Sequence, residues 1–159
     1  MYELLRNLSL PGFDLGCWQS TIRQRVAVHD WHTGLARWNG SETTDIVYSD
    51  AESALTDILI RLGYLGSGAW SCRTPTYYIE VKTTMGALEN PLFCGQPQVD
   101  LMEQMQLPDL GPSDNVYLIA RVFGLGSSKM GLHLYLDPAK LRKEGRLKFI
   151  ASKYIVTPS

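Results

Sequence analysis

The sequence predicts a single α/β domain in which a mixed β-sheet is flanked by helices, and three observations carry that expectation. Thr76 to Thr84 and Asn115 to Phe123 are rich in β-branched, aromatic and aliphatic residues. Both are too apolar for a sheet edge, so they are expected as neighbouring interior strands. Leu55, Ile58, Leu59 and Leu62 recur at three- and four-residue spacing, the period of one helix face. Strand and helix signals then alternate as β-α-β-α-β-β-α-β, an order that needs helices packed on a mixed sheet.

Taken in order, Tyr2 to Leu8 reads as a short helix ended by Pro11-Gly12, and Trp18 to Val28 as a mixed segment with Ile22, Val26 and Val28 facing inward. Trp31, His32 and Trp38 are expected to pack across a sheet face before the turn signal Asn39-Gly40. Asp45 to Tyr48 is a short strand, and Ser49 or Asp50 can cap the helix that Gly63 closes. Gly66, Gly68 and Pro75 mark a loop around Trp70. After the strand from Thr76 and a loop from Gly86 to Pro91, Val99 to Met105 looks helical. Beyond Phe123, a glycine-bearing loop leads to a strand from Leu132 to Leu136. Asp137-Pro138 opens a helix to Lys143, with Pro at its first position, Gly145 ends it, and Leu147 to Val156 is a last strand.

The bulk numbers bound the function classes. The 159 residues are 45% hydrophobic and 19% charged, which suits one globular domain rather than a disordered tail. The net charge of -1 argues against binding nucleic acid by bulk charge alone. A local basic cluster, Lys140, Arg142, Lys143, Arg146, Lys148 and Lys153, reads first as a solvated surface. Cys17, Cys72 and Cys94 have no CxxC or zinc spacing and are expected as free thiols in a reducing compartment. His29, His32 and His133 suggest neither triad nor metal site. Charged residues within the first ten exclude a signal peptide, and no apolar run spans a membrane, so an intracellular, soluble protein of cytoplasm or nucleus is expected.

One segment carries chemistry. In Tyr77-Tyr78-Ile79-Glu80-Val81-Lys82, Glu80 and Lys82 lie two apart on a strand and project from one face, while Ile79 and Val81 project from the other. A charged pair on so apolar a strand needs partners or solvent. It is either a salt bridge on a wet sheet face or a carboxylate site for a hard divalent cation, with the lysine beside the attacking water.

Tyr77 to Thr84 resembles the ExK strand of the PD-(D/E)xK nuclease fold, and in particular the C-terminal domain of the NO VEIN family in its fungal-type members. Pro91-Leu92-Phe93 with Gln98, Val116 to Val122, and Asp137-Pro138 with Leu141 and Gly145-Arg146-Leu147 are similar to that family's following segments. The likeness covers residues 44–158 as a nuclease-like core and leaves 1–43 as an N-terminal extension. It implies a restriction-endonuclease-like fold, Mg²⁺ held by Asp45 and Glu80, a catalytic set of Asp45, Glu80 and Lys82, and substrate contact by Gln98. Glu52 matches an acidic residue of the family's first helix, although a solvent-facing first-turn glutamate stabilised by the helix dipole explains it better. The pattern departs at one point. The family's metal-binding Asp directly precedes the ExK strand, yet no acidic residue lies between Gly63 and Glu80. Asp45 completes the site only if its strand lies beside Thr76 to Lys82. Two functions follow: Mg²⁺-dependent phosphodiester hydrolysis on nucleic acid, or a degenerate nuclease fold that binds protein or nucleic acid as a scaffold. Neither implies a membrane.

Overall fold

Apolar runs on two strands build the middle of the sheet. Strand β2 (Thr76–Thr83) and strand β3 (Asn115–Phe123) pair in parallel, with Tyr78 opposite Tyr117, Glu80 opposite Ile119 and Lys82 opposite Arg121. They are flanked by antiparallel strands, β1 (Ile46–Ser49) on β2 and β4 (Gly131–Leu136) on β3, giving the order β1-β2-β3-β4. The structure, a computed structural model, describes residues 1–26, 38–40, 43–109 and 111–150. The expected mixed α/β architecture with interior β2 and β3 is what it shows.

Alternation along the strands assigns the two faces. Ile46, Tyr48, Tyr77, Ile79, Val116 and Leu118 face helices α1 (Tyr2–Asn7), α2 (Ala54–Arg61) and α3 (Ser67–Trp70), which contribute Tyr2, Leu5, Leu55, Leu59 and Trp70. Tyr117 and Ile119 face helices α4 (Gln96–Gln104) and α5 (Pro138–Lys143) through Met102 and Ala139. A parallel pair cannot be joined by a hairpin, and α4 supplies the crossover. The β3–β4 link is a tight loop at Gly124, where φ is +61° and a Cβ would meet the Lys129 carbonyl oxygen at 2.8 Å.

The chain's first residues belong to this core. Trp18 bridges to Ile46, Tyr2 stacks on Trp18 at 5.1 Å, and Tyr48 Oη donates to the Pro11 carbonyl at 2.8 Å. Ile22, expected to face inward, is exposed because Thr21–Val26 winds as a 3-10 helix that turns it to solvent. Arg23 lies over the Trp38 ring at 5.4 Å. The inward assignment of Val28 and the packing of Trp31 and His32 fall outside the described residues, as does His29.

Local chemistry moves some boundaries. The expected loop at Trp70 contains the short helix α3, which buries that indole. Helix α4 starts three residues before Val99, since Gly95 is extended and Pro97 suits the first turn. A strand from Leu147 does not form over 147–150. Arg146 N and Leu147 N both donate to the Leu141 carbonyl, at 2.9 and 3.1 Å, which folds the chain back over the end of α5 and sends Phe149 into the second core. Residues 151–156 of that expected strand lie outside the described residues. The basic residues of α5 are solvated and tied to α4: Arg142 pairs with Glu103 at 2.8 Å, and Lys143 bonds Gln106. Among the described residues, no helix is long and apolar enough to cross a membrane.

Candidate functional site

The pleat of β2 sends Tyr78, Glu80 and Lys82 toward α4, away from the core side of Tyr77 and Ile79. Glu80 is 5% exposed, so its charge must be met inside the protein. Lys82 Nζ meets it at 2.8 Å, and Gln98 Nε2 donates to the same Glu80 oxygen at 2.6 Å. Gln98 stands at the third position of α4. Its Oε1 accepts from Gly95 N at 2.9 Å, satisfying a helix-start amide, and from Lys82 Nζ at 3.2 Å. One glutamine thus ties the helix start to both charged residues of the strand.

Asp45 joins them. Strand β1 runs antiparallel to β2 with Ile46 opposite Ile79, so the same register sets Asp45 opposite Glu80 on the α4 side. Its Oδ2 accepts from Val81 N at 2.8 Å, replacing the ladder carbonyl that β1 no longer supplies past its first residue. All four residues expected from sequence, Asp45, Glu80, Lys82 and Gln98, therefore gather at one end of β2. The intervening helices α2 and α3 do not separate the Asp45 strand from the Glu80 strand. Glu52 is not brought in; it is exposed at the turn before α2, on the other side of the sheet.

The groups around these four were not assigned to the site from sequence. Cys94, on the loop before α4, is half-buried, and burial pushes its thiol up, with Glu80 adding to the rise and Lys82 opposing it. Tyr117 Oη is buried without a hydrogen-bond partner. Burial first, then Glu80, Cys94 and Asp45, hold its hydroxyl far above the ordinary tyrosine range. Arg121, 2% exposed, donates from its terminal nitrogens to the carbonyls of Thr83, Asn90 and Pro91, at 3.4, 2.9 and 3.5 Å. Its Nε has no partner. A charged residue in the middle of an apolar strand was a readable signal for Arg121; Tyr117 carried none until the pairing of β2 with β3 was known.

The donor set suits a hard cation in type. Mg²⁺ is commonly held by one or two carboxylates, with waters and substrate phosphates completing its shell. Asp45 and Glu80 would supply the carboxylates. Among the described residues, no three His, Cys, Asp or Glu side chains cluster to form a closed cage. His133 lies opposite Arg121 and packs edge-on to Tyr135 at 4.7 Å. Searches of protein families, curated proteins and solved structures find no match to this chain.

Proposed function

We propose that the domain is a nuclease-like hydrolase of phosphodiesters in nucleic acid, related to the NO VEIN C-terminal family and dependent on Mg²⁺. The supporting observation is the register that sets Asp45 across from Glu80, with Lys82 and Gln98 both on the Glu80 carboxylate. Asp45 and Glu80 would hold the cation, which would polarise the phosphate and lower the pKa of the attacking water. Lys82 orients that water and meets phosphate charge. Gln98 holds the Glu80 carboxylate and the Lys82 ammonium in place from the start of α4.

A second reading keeps the fold and drops the chemistry: a degenerate site in a module that binds protein or nucleic acid. Its own support is that Glu80 Oε1 already accepts from two donors and that, among the described residues, no third His, Cys, Asp or Glu joins the two carboxylates. Calorimetric titration with Mn²⁺, paired with cleavage of plasmid and single-stranded oligonucleotides, separates the readings. The hydrolase binds Mn²⁺ and cuts, and Glu80→Gln loses both while staying folded. Wild-type protein that gives no binding heat up to millimolar Mn²⁺ and no cleavage leaves the scaffold.

A further inference from the structure

Among the described residues, Tyr117 Oη and Arg121 Nε are the two buried side-chain polar atoms without a hydrogen-bond partner. Buried polar groups are almost always paired, and each exception needs a reason. These two are not scattered. Both lie on β3, on the α4 side, two residues before and two after Ile119, the register partner of Glu80. Arg121 has a reason to be there without Nε being used, since its other nitrogens pin the loop at Asn90 and Pro91 that leads into α4. Tyr117 does not. A phenylalanine would fill the same space beside Met102 and Ile119 without a buried hydroxyl, whose desolvation is uncompensated.

We propose that Tyr117 is a ligand-contacting residue of the site, its hydroxyl donating to an oxygen held between Asp45 and Glu80. Tyr117 and Glu80 are diagonal neighbours across the β2–β3 pair, a separation that an aromatic side chain spans. Tyr117 is 1% exposed, so only a small group seated at the level of the sheet reaches its hydroxyl. A single oxygen fits: a water on the cation, or a phosphate oxygen drawn to it. The hydroxyl is then an orphan in the free protein and a donor in the bound one.

The proposal rests on the metal-assisted reading above, and its test separates the two. Wild-type protein and Tyr117→Phe are compared in thermal melts without metal, in calorimetric titration with Mn²⁺ alone, and in titration with inorganic phosphate at saturating Mn²⁺. Without metal the variant melts at or above the wild-type temperature, because an orphan hydroxyl has been removed. In one of the titrations it binds about tenfold more weakly, the loss of one hydrogen bond to a charged ligand. Weakening with Mn²⁺ alone places the oxygen on a cation-bound water; weakening only with phosphate places it on the anion. Equal binding by variant and wild type in both titrations overturns the role of Tyr117 and leaves the metal site standing. A variant that melts clearly lower without metal also overturns it, since the hydroxyl would then have a structural partner. Wild-type protein that binds no Mn²⁺ removes both.

Discussion

On one side of the sheet Asp50 is 0% exposed, and on the other Glu80 is 5% exposed, yet the two carboxylates are met by opposite means. Asp50 sits beneath the start of α2. It accepts from Leu55 N at 3.2 Å, Thr56 N at 2.8 Å, Thr56 Oγ1 at 2.8 Å and Tyr48 Oη at 3.4 Å, and Thr56 Oγ1 also bonds Tyr77 Oη at 2.8 Å. Every one of those donors is neutral. It is the cap of α2 in place of Ser53, whose side chain makes no cap bond. Burial, with Asp50 beside it, pushes the Tyr48 hydroxyl up to about 12. At Glu80 Oε1 stand a cation and an amide, and a hydroxyl without a partner stands on the neighbouring strand. The first arrangement is closed on itself and holds a helix to a strand. The second meets Glu80 Oε1 with two side chains rather than with backbone amides, partners that a ligand can displace without unwinding a helix.

Asp50→Ala breaks the closed network and has the largest expected effect. It leaves two backbone amides and a hydroxyl without acceptors under α2, at about 1–3 kcal/mol for each buried group left unsatisfied, less what relaxation recovers. A loss of about 3–5 kcal/mol in urea unfolding follows, enough to unfold a marginal domain. If the variant loses less than about 1 kcal/mol, α2 is not held through Asp50 and the contrast between the faces fails.

Lys82→Ala probes the other side. The Lys82 and Glu80 side chains are only 17% and 7% exposed, so removing the ammonium leaves a buried carboxylate with the Gln98 amide still beside it. Removing one partner of a fully buried pair costs about 3–5 kcal/mol; partial solvation of Lys82 and the retained amide reduce this to about 1–2 kcal/mol. The hydrolase reading adds a second loss, of cleavage, far beyond what that destabilisation causes at a temperature where the variant is folded. Denaturant unfolding and cleavage measured on the same preparation read the two effects separately. Full cleavage by folded Lys82→Ala removes the lysine from the chemistry.

The sequence and the fold agree where one strand or helix decides the matter alone. β3 was legible because its apolar run leaves no face for water, and α5 because Asp137, Pro138 and Gly145 each punctuate the chain locally. The Glu80 and Lys82 pair was legible from period-two geometry, whereas Gln98 was pointed to only by the resemblance. Asp45 was legible only as a condition, since pairing across the 26 residues between β1 and β2 depends on tertiary contacts, not on local pattern. The same limit hid the Asp50 network, in which residues 48, 50, 56 and 77 meet through three elements. It also hid Tyr117, whose hydroxyl matters only once Glu80 is known to stand diagonally across from it. Over 147–150 the expected strand from Leu147 does not form, for the converse reason. Its apolar residues suit a strand, but the Leu141 carbonyl captures the first amides and Phe149 finds a core by another route.

Asp137 gives the smallest effect and the finest test of what neutral donors achieve. It is 3% exposed, at φ +52°, and accepts from Lys140 N and Leu107 N, both at 3.0 Å, joining the start of α5 to the end of the α4 loop. It has two backbone donors where Asp50 has four donors. Burial raises its carboxyl above the ordinary aspartate range, against the opposing pull of those two amides and of Lys140. The sign follows from linkage. A carboxyl whose folded pKa lies above its unfolded value favours the fold most when protonated, so that contribution is complete below the unfolded value and is lost as pH rises through the folded one. Asp137→Asn keeps a cap of the same shape without titrating. The stability of wild type relative to Asp137→Asn should therefore fall as pH rises from about 3 to about 7, by less than the change made by Lys82→Ala. Urea unfolding of both proteins at intervals across that range measures it. A difference that grows with pH instead would mean that two backbone amides hold a buried carboxylate as an anion, and that Asp50 needs no more than they provide.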